Sequence, residues 1–576
     1  MAERGLSHST SCWRQHALLL EGTGKRERER DRSRVVLAMG MFLLCFAVLA
    51  ARLIVLAVAP APAESVGYSA RQALSASRPD ILDRNGEILA TDIKTPSLYA
   101  EPRKLIDVDE AIDGLMSVMP DLDGEKLRHE FATDRGFVFV RREITPAQQA
   151  AVHRLGIPGL GFVEENRRVY PAGNEASHVL GHVNVDQEGG AGIEKYLDDE
   201  GLKVLRESGL SAEGAQRPVA LTIDLRVQHA LRAELAAAME RYEAKAAAGV
   251  ILDARTGEVA AMVSLPDFDP NTPAEALDPE RLNRVTGGVY ELGSTFKAFT
   301  AAMALDEGSA TLSDSYDATK PIRISSFTID DYHAKRRWLT VPEIFIYSSN
   351  IGAARMALDV GKVRHRAFLT RLGLLDAPGG ELPEKAKPLV PANWSEVTTI
   401  TASFGHGISS TPLAAASAAA ALVNGGYLLP ATFLPRSRAE ARDLARPVLR
   451  ATTSRDMRYL MRLNVTNGTA TKADAEGYRV GGKTGTAEKI VNGRYAKNRL
   501  LTSFLGAFPM DDPQYVVLVM LDEPQGSAET HGYATAGWNS VPVTGNIIRR
   551  VAPMLGIQPR LDEPGKGKSG VTLASY

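Results

Sequence analysis

At 576 residues the chain exceeds the length of one ordinary domain, so two or three domains are expected. A hydrophobic fraction of 44% and a charged fraction of 24% are typical of folded globular proteins and exclude a wholly disordered chain. The formal net charge of -2 gives no reason to expect binding to nucleic acid. The two cysteines, Cys12 and Cys45, lie near the N-terminus, which excludes cysteine chemistry from the rest of the chain. Neither a metal nor a cofactor is predicted.

One segment near the N-terminus has the character of a membrane helix. Val35 to Ala59 is apolar except for Arg52 and is long enough to cross a bilayer. The stretch before it, Lys25 to Arg34, is rich in arginine, which predicts a cytoplasmic tail over residues 1–34. A cleaved signal peptide is the alternative, although this apolar core is long for one. In both cases the chain beyond the segment lies outside the cytoplasm.

The region from residue 60 to 218 mixes short strands with helical stretches, and we interpret it as a spacer or docking module. Asn85-Gly86 stands between two apolar runs and predicts a β-hairpin. A helix is predicted to start near Thr145-Pro146. The charged run from Glu164 to Arg168 is interpreted as a solvated or inter-element surface. The region contains no recognisable catalytic constellation.

A change in composition near residue 219 marks the start of a second extracytoplasmic region. Gly249–Asp253 and Val259–Val263 predict an antiparallel hairpin, and further strands are predicted at 502–508 and 515–521. Helical segments fill much of the sequence between these strands. Strands at both ends with helices between them predict one sheet that is closed by the two ends and flanked by helices.

The stretch Ser294-Thr295-Phe296-Lys297 contains the first candidate catalytic residues. Gly293 permits a tight turn, and Ser294 is predicted to cap the helix that the following apolar residues form. A serine and a lysine three residues apart lie on one face of a helix, one turn apart. A hydroxyl beside an amine that has lost its proton is an activated nucleophile without a histidine. A capping serine with a solvated lysine is the alternative for this motif alone.

Two further polar stretches complete the candidate site. Ser348-Ser349-Asn350 is predicted as a turn between ordered elements, which either caps the next helix or passes a proton and holds a peptide carbonyl. In Gly481–Ala487, the residues Lys483, Thr484 and Thr486 offer a cation and two hydroxyls to a carboxylate. The glycines of this stretch would let the backbone approach a ligand closely.

A phosphate loop is the alternative for the third stretch, because Gly477–Thr484 fits the pattern G-x-x-x-x-G-K-[ST]. Such a loop follows a buried strand and opens a helix, whereas a polar stretch precedes this one and Gly485 would interrupt a helix. Lys568-Ser569-Gly570 repeats the shorter pattern in the tail, which shows how little three letters specify.

Ser-x-x-Lys, Ser-x-Asn and Lys-Thr-Gly in this order resemble the active-site motifs of penicillin-binding proteins and serine β-lactamases. Further stretches resemble the class B, division-specific (FtsI-type) D,D-transpeptidases: Arg78 to Ala90, Arg167 to Pro171, Gly181 to Asn184, Gly192 to Lys195, Asp253 to Met262 and Ser403 to Gly407. With the membrane segment, Thr411 to Leu413 and Lys483 to Lys489, these stretches are distributed over most of residues 35–558. Leu292 departs from the family, which usually has proline there, and we expect this to alter only the rigidity of the turn.

The resemblance implies an α+β fold with an N-terminal transmembrane helix and an elongated, mixed α/β pedestal. A C-terminal penicillin-binding transpeptidase domain follows, in which helices flank an antiparallel sheet as in serine β-lactamases. The expected boundaries are a cytoplasmic tail, the membrane helix, the pedestal, the transpeptidase domain and a flexible tail, at residues 1–34, 35–59, 60–218, 219–558 and 559–576.

By resemblance, Ser294 is the nucleophile that attacks the D-Ala–D-Ala amide of a peptidoglycan stem peptide, and β-lactams acylate the same serine. Lys297 is its general base, with a pKa lowered by burial and by the charge of Lys483. Ser348 relays a proton to the departing D-alanine. Asn350 holds the substrate amide and Lys297.

Carboxylate binding falls, again by resemblance, to the third motif. Lys483, Thr484, Gly485 and Thr486 are expected to bind the terminal carboxylate of the substrate. The backbone N–H groups of Ser294 and Thr486 are the expected oxyanion hole. The acyl-enzyme then passes to an amine on a neighbouring strand and forms a crosslink.

The resemblance also implies a place and partners for the chain. It predicts a single-pass protein of the bacterial cytoplasmic (inner) membrane, with a periplasmic catalytic domain at the division septum. No glycosyltransferase domain precedes the pedestal, so a membrane-embedded glycan polymerase and other division proteins are the expected partners.

Four alternatives to septal crosslinking stay open: an elongation-type transpeptidase, a hydrolytic D,D-carboxypeptidase or β-lactamase, a β-lactam sensor, and a non-catalytic scaffold. A class A β-lactamase needs a glutamate that activates the deacylating water, and its Glu-x-x-x-Asn pattern is absent between residues 351 and 482. Slow deacylation is therefore predicted. A sensor would need a cytoplasmic signalling domain, for which residues 1–34 are too short.

Overall fold

The structure, a computed structural model, describes residues 36–51, 77–202, 217–324, 327–491 and 493–561. The chain divides into two units, Met1–Gln72 and Ala73–Tyr576. In the first unit, residues 36–51 form helix α1, whose apolar side chains are exposed.

The predicted membrane segment is only partly covered by the structure. Among the described residues, no helix combines the length and the apolar character that crossing a bilayer requires. Residue 35 and residues 52–59 of the predicted segment lie outside the described residues, and so does the predicted tail over 1–34.

The first part of the second unit contains short strands and helices. The strands are β1 (Ile81–Leu82), β2 (Ile88–Ala100), β3 (Val138–Arg141), β4 (Leu160–Val169), β5 (His182–Val183), β6 (Gly189–Ala191) and β7 (Val219–Ala220). The helices are α2 (Val108–Val118), α3 (Gly124–Phe131), α4 (Pro146–Leu155), α5 (Ser177–Leu180) and α6 (Gly192–Leu197). One sheet has the order β3-β2-β1-β7, and β4 also pairs with β2.

Two local predictions hold in this region. β1 and β2 form an antiparallel hairpin around Asn85-Gly86. Helix α4 begins at Pro146, and Thr145 and Gln148 form a reciprocal capping box at its N-terminus. Both features depend on residues adjacent in the chain, which is why the sequence indicates them directly.

The charged run Glu164–Arg168 lies in β4, and of its two interpretations, a solvated or an inter-element surface, the second holds for Glu165 and Arg168, which are buried. The Arg168 guanidinium donates to the Glu194 carboxylate at 2.6 Å, and Arg78 donates to the same carboxylate at 2.8 Å. Buried charges are tolerated when they are paired in this way. The ion pairs therefore join β4 to α6 and to the chain that precedes β1.

The second part of this unit contains further strands and longer helices. The strands are β8 (Ala246–Asp253), β9 (Val259–Leu265), β10 (Ser315–Asp317), β11 (Ile322–Ile324), β12 (Phe327–Ile329), β13 (Trp338–Thr340), β14 (Tyr427–Leu428), β15 (Arg446–Pro447), β16 (Gly481–Val491), β17 (Arg494–Phe508) and β18 (Tyr515–Asp522). The helices are α7 (Leu225–Arg241), α8 (Lys297–Asp306), α9 (Val341–Tyr347), α10 (Asn350–Val360), α11 (Lys362–Arg371), α12 (Glu396–Ala402), α13 (Pro412–Val423), α14 (Arg438–Leu444), α15 (Ala451–Asn467) and α16 (Ser540–Met554).

A five-stranded antiparallel sheet organises this part, in the order β16-β17-β18-β8-β9. β8 from the start of the region pairs with β18 from its end, as the sequence predicts. Alternate residues of β8 enter different cores: Val250 packs with residues of α8 and α13, and Ile251 packs with residues of α7 and α16. Helices therefore cover both faces of the sheet.

Helix α8 is buried along its whole length rather than amphipathic, because every residue from Lys297 to Leu305 is buried. A lysine at the first position of such a helix is carried into the core together with its apolar neighbours. This burial decides the chemistry of the site described below.

Two histidines, His178 and His182, have the i, i+4 spacing of some zinc ligands. Both rings pack edge-on against Phe268, at centroid distances of 5.2 and 6.0 Å. His178 Nε2 also lies 2.7 Å from the carbonyl oxygen of Arg281. In the part of the chain that the structure describes, no three His, Cys, Asp or Glu side chains are grouped as a metal site.

Candidate active site

The predicted nucleophile lies in a 3₁₀ turn, Gly293–Phe296, that runs directly into α8. The prediction that Ser294 caps the helix is wrong, because its side chain makes no capping bond and lies one residue inside the helical turn. Gly293 has a φ of +55°, and a Cβ there would lie 2.7 Å from the carbonyl oxygen of Thr486. Glycine therefore lets the turn contact β16.

The Lys297 amine connects the first two motifs. Its Nζ lies 2.9 Å from Ser294 Oγ, 2.7 Å from Asn350 Oδ1 and 3.1 Å from Ser348 Oγ. It also donates to the Ser348 carbonyl oxygen at 2.6 Å. Only 2% of the lysine is exposed, so these polar contacts take the place of water. The structure thus brings the serine, the lysine and the Ser348–Asn350 turn together.

The third motif reaches the same place through β16. Lys483 is fully buried, and its Nζ donates to Ser348 Oγ at 2.9 Å. Thr484 Oγ1 lies 2.9 Å from Thr469 Oγ1, and Thr486 Oγ1 accepts the Ala536 N–H at 3.1 Å. A Cβ on Gly485 would lie 2.4 Å from the Leu292 carbonyl oxygen. Only glycine permits this approach of β16 to the nucleophile turn.

Ser348 stands between the two lysines. It ends α9 in a left-handed conformation, with φ of 57° and ψ of 44°, and α10 begins two residues later. The result is a row of hydrogen-bonded groups from Ser294 through Lys297 and Ser348 to Lys483. Seven of the eight site residues predicted from the sequence lie in this row or in the adjoining part of β16, and the eighth, Asn350, contacts Lys297.

Burial controls the protonation of both amines. It lowers the pKa of Lys297 to about 7, and the negative charge of Asp331 opposes this shift. Burial also holds the pKa of Lys483 well below its ordinary value, and the charge of Lys297 lowers it further. The Lys297 amine is therefore unprotonated in a large fraction of molecules near neutral pH, which a proton acceptor for Ser294 requires.

Two known protein-family models match this chain. Residues 247–548 match the family described as "Penicillin binding protein transpeptidase domain", and this range contains all three motifs. Residues 73–208 match "Penicillin-binding Protein dimerisation domain".

The chain belongs to the penicillin-binding protein family. Within that family it is a class B penicillin-binding protein of the FtsI type.

Similar proteins extend over most of this penicillin-binding protein. "Probable peptidoglycan D,D-transpeptidase FtsI" of Caulobacter vibrioides is 41% identical over 508 residues, which cover 86% of this chain and 84% of the relative. "Probable peptidoglycan D,D-transpeptidase PenA" of Neisseria gonorrhoeae is 33% identical and covers 85% and 86%. "Peptidoglycan D,D-transpeptidase FtsI" of Escherichia coli is 29% identical and covers 85% of each chain.

The phosphate-loop alternative is wrong for this penicillin-binding protein. The sequence Gly481–Val491, which contains Lys483, forms strand β16 and pairs with β17 along its length. A phosphate loop would instead open a helix at this lysine, so that helical N–H groups face the phosphates. The repeated pattern at Lys568-Ser569-Gly570 lies outside the described residues.

Two aspartates at the site have no counterpart in the sequence interpretation. Asp331 accepts hydrogen bonds from Ser349 Oγ at 2.7 Å and from the Ile351 N–H at 3.0 Å. The backbone carbonyl of Asp330 accepts from Asn350 Nδ2 at 2.9 Å. The pair Asp330-Asp331 after an apolar strand is the only local signal, and it is too common to indicate a site.

A cavity of about 510 Å³ adjoins the nucleophile turn of the penicillin-binding protein. Glu291, three residues before Ser294, lines it together with Tyr495, Ala487 and others. The Glu291 carboxylate accepts from the Gly407 N–H at 3.0 Å and from Tyr495 Oη at 3.1 Å. Its lining continues along β16 from Ala487, the residue after Thr486, but includes none of the eight site residues predicted from the sequence.

The lowered pKa of Lys297 predicts a pH dependence of acylation. The active form of the amine is the neutral one, so the rate of acylation by a penicillin should rise with pH and level off above an apparent pKa of about 7. Stopped-flow or quenched labelling between pH 5 and 9 measures this limb. A rate that stays constant from pH 5 upward would contradict a role for an unprotonated Lys297.

Proposed function

We propose that this penicillin-binding protein is a serine-type peptidoglycan D,D-transpeptidase that works through an acyl-enzyme on Ser294. The observation that supports the proposal most directly is the hydrogen-bonded row from Ser294 through Lys297 and Ser348 to Lys483. It joins a hydroxyl to an amine of lowered pKa in a buried setting. The transpeptidase names of the relatives support the same reaction.

In the proposed acylation, neutral Lys297 accepts the proton of Ser294 while Oγ attacks the carbonyl carbon between the two D-alanines. Ser348, hydrogen-bonded to both lysines, gives its proton to the departing nitrogen and takes a replacement from Lys297, which becomes neutral again. The C–N bond breaks, an ester to Ser294 forms and D-alanine leaves. The N–H groups of Ser294 and Thr486 are the proposed oxyanion donors, and removal of one such donor typically costs ~3 kcal/mol.

The proposed carboxylate site depends on Lys483. Its pKa is held low by burial and by the charge of Lys297. A bound carboxylate would favour the protonated ammonium, because an opposite charge raises the pKa of an amine. Thr484, Gly485 and Thr486 complete the proposed site with hydroxyl and backbone groups of β16.

The ester is proposed to pass to an amine on a neighbouring strand. The amine attacks the ester carbonyl and gives up one proton to neutral Lys297, which passes it to Ser294 Oγ as the ester C–O bond breaks and an amide crosslink forms. Hydrolysis by water is the competing fate, and it defines the carboxypeptidase and β-lactamase alternatives.

A partition experiment on the full chain in detergent tests this function. A penicillin adduct on Ser294 should persist for hours, and a D-Ala–D-Ala peptide with excess D-amino acid should give more exchanged peptide than hydrolysed peptide. Intact-mass analysis and chromatography measure the two quantities, and Ser294→Ala is the blank. Release of the penicillin within seconds, or hydrolysed peptide alone, would contradict the transpeptidase proposal.

We further propose that the chain is a single-pass protein of the bacterial inner membrane with its N-terminus in the cytoplasm. The apolar segment 35–59 and its arginine-rich flank support this placement.

We propose pedestal and catalytic domains at 60–218 and 219–558, with septal crosslinking beside a membrane-embedded glycan polymerase. Relatives named FtsI support the septal role over elongation. A fluorescent fusion that stays along the side wall in dividing cells would contradict it.

A further inference from the structure

The turn that presents Ser348 is held from outside by one carboxylate. Asp331 Oδ2 accepts from Ser349 Oγ at 2.7 Å, and Oδ1 accepts from the Ile351 N–H at 3.0 Å. Ser349 Oγ in turn accepts the Gly352 N–H at 3.0 Å and caps α10. The middle residue of the turn and the residue that follows the turn are thus tied to a single half-buried side chain.

The segment that carries Asp331 is itself fixed against α10. Ile329, at the end of β12, packs against a small core that contains Ala354 of α10 and Phe404. The next residue, Asp330, accepts the Asn350 amide N–H₂ on its backbone carbonyl. This bond fixes the orientation of the amide, so that Asn350 Oδ1 faces Lys297 Nζ at 2.7 Å.

Asp331 is also the carboxylate whose negative charge acts on Lys297. The other charged or titratable groups that interact with this amine are Lys483 from β16 and His406 from the chain after α12. Burial favours the neutral amine, and Asp331 alone among these groups favours the ammonium. A carboxylate near the N-terminus of α10 is also favoured by the helix dipole.

We propose that Asp331 is a positioning residue of the acylation reaction. It holds the Ser348–Asn350 turn in register with Lys297 and keeps a negative charge beside that amine, although it touches no reacting atom. The inference rests on the proposed roles of Ser294 and Lys297. It assigns to one carboxylate both the geometry of the proton path and the pH range in which the path operates.

Asp331→Asn removes the charge and nearly preserves the shape. We expect the acid limb of penicillin acylation to move down by roughly one pH unit, because loss of a neighbouring negative charge makes Lys297 easier to deprotonate. We also expect the plateau rate to fall by about tenfold, because the two bonds use both carboxylate oxygens, and asparagine replaces one of these acceptors with an NH₂ donor. Rates between pH 5 and 9 on the full chain measure both changes.

Asp317→Asn is the matched control. The Asp317 carboxylate also accepts one N–H and one hydroxyl, both from Thr319, at 2.9 and 2.6 Å. Among the hydrogen bonds of the described residues it has none with the site. We expect the Asp317→Asn protein to be acylated with the same acid limb and the same plateau rate as the unchanged protein.

Asp331→Glu separates charge from position and serves if the asparagine variant does not fold. It keeps the negative charge but displaces the carboxylate by one methylene, so the limb should stay in place while the plateau falls. The inference is overturned if the acid limb of the pH–rate profile does not move in Asp331→Asn, or if the plateau rate of acylation does not fall in Asp331→Glu. The same experiment includes the unchanged protein. If that protein is not acylated at Ser294, the proposed function is wrong, and this result is distinct from an effect of the Asp331 variants.

Discussion

Replacing Ser294 with alanine should abolish covalent labelling by a fluorescent penicillin and lower D,D-transpeptidation by about 10⁴-fold or more. The reason is the loss of the only group that the proposed reaction converts to an ester. Ser348 Oγ also lies near Lys297, at 3.1 Å, but it already bridges to Lys483 at 2.9 Å. Gel fluorescence and peptide mapping of the adduct measure the effect.

The alanine variant should stay folded. Ser294 is half-buried, and its side-chain bond with Lys297 is a single interaction, so the free energy of unfolding should fall by only about 1 kcal/mol. Ser309→Ala is a matched control, because Ser309 is a half-buried serine just beyond the other end of α8 and bonds the Ala304 carbonyl at 3.3 Å. Penicillin that still labels the Ser294→Ala protein on Ser348 would contradict the assignment of the nucleophile.

Replacing Lys297 with methionine should lower the acylation rate by about 10³-fold, because the site loses its proton acceptor while it keeps the nucleophile. Methionine has nearly the length of lysine and is apolar, so it fills the same buried space. The remaining rate should lose the acid limb near pH 7, since that limb reports the pKa of the Lys297 amine.

The same substitution should change stability little. Removal of a buried amine of lowered pKa relieves the burial of a charge, whereas the Ser348 carbonyl and Asn350 Oδ1 lose a donor, and each contribution is about 1–3 kcal/mol. Lys297 binds fewer protons in the folded than in the unfolded state between its folded pKa of about 7 and its ordinary 10.5. Stability should therefore rise with pH in this window in the unchanged protein and less so in the methionine variant.

Lys245→Met is the control for a lysine change as such. Lys245 is exposed and pairs with Glu523 at 2.8 Å, far along the chain from the three motifs. Its acylation rate should equal that of the unchanged protein. An equal loss of rate in both variants, or a Lys297→Met protein that acylates normally, would exclude Lys297 as the base.

The site illustrates how two amines can be carried into the core of one fold. Lys297 and Lys483 are both buried, and both contact Ser348. Two positive charges that both contact Ser348 would repel each other in a medium of low polarity. The neutral forms of the amines are therefore favoured in the absence of a bound anion. A carboxylate that binds as proposed would therefore change the charge state of the site as well as fill it.

Several features could be predicted from the sequence because they depend on neighbours in the chain. The hairpin at Asn85-Gly86 and the capped helix at Thr145 follow from local turn and capping preferences. The closed sheet, in which β8 pairs with β18, follows from the order of strands and helices. The three polar motifs can be read directly from the sequence, and their order resembles that of the penicillin-binding proteins and serine β-lactamases.

Other features were decided only by contacts between distant residues. Burial of the whole of α8 sets the pKa of Lys297, and the approach of β16 to the nucleophile turn makes Gly485 necessary. Ser294 was predicted to cap a helix, but the 3₁₀ turn places it inside the helical turn beside the lysine. Asp331 and the ion pairs of Arg168 carried no local signal, because their partners lie elsewhere in the chain. Local preference thus determined the elements and the chemical groups available, whereas tertiary packing decided which groups are buried together, and burial is what turns a serine and a lysine into a reactive pair.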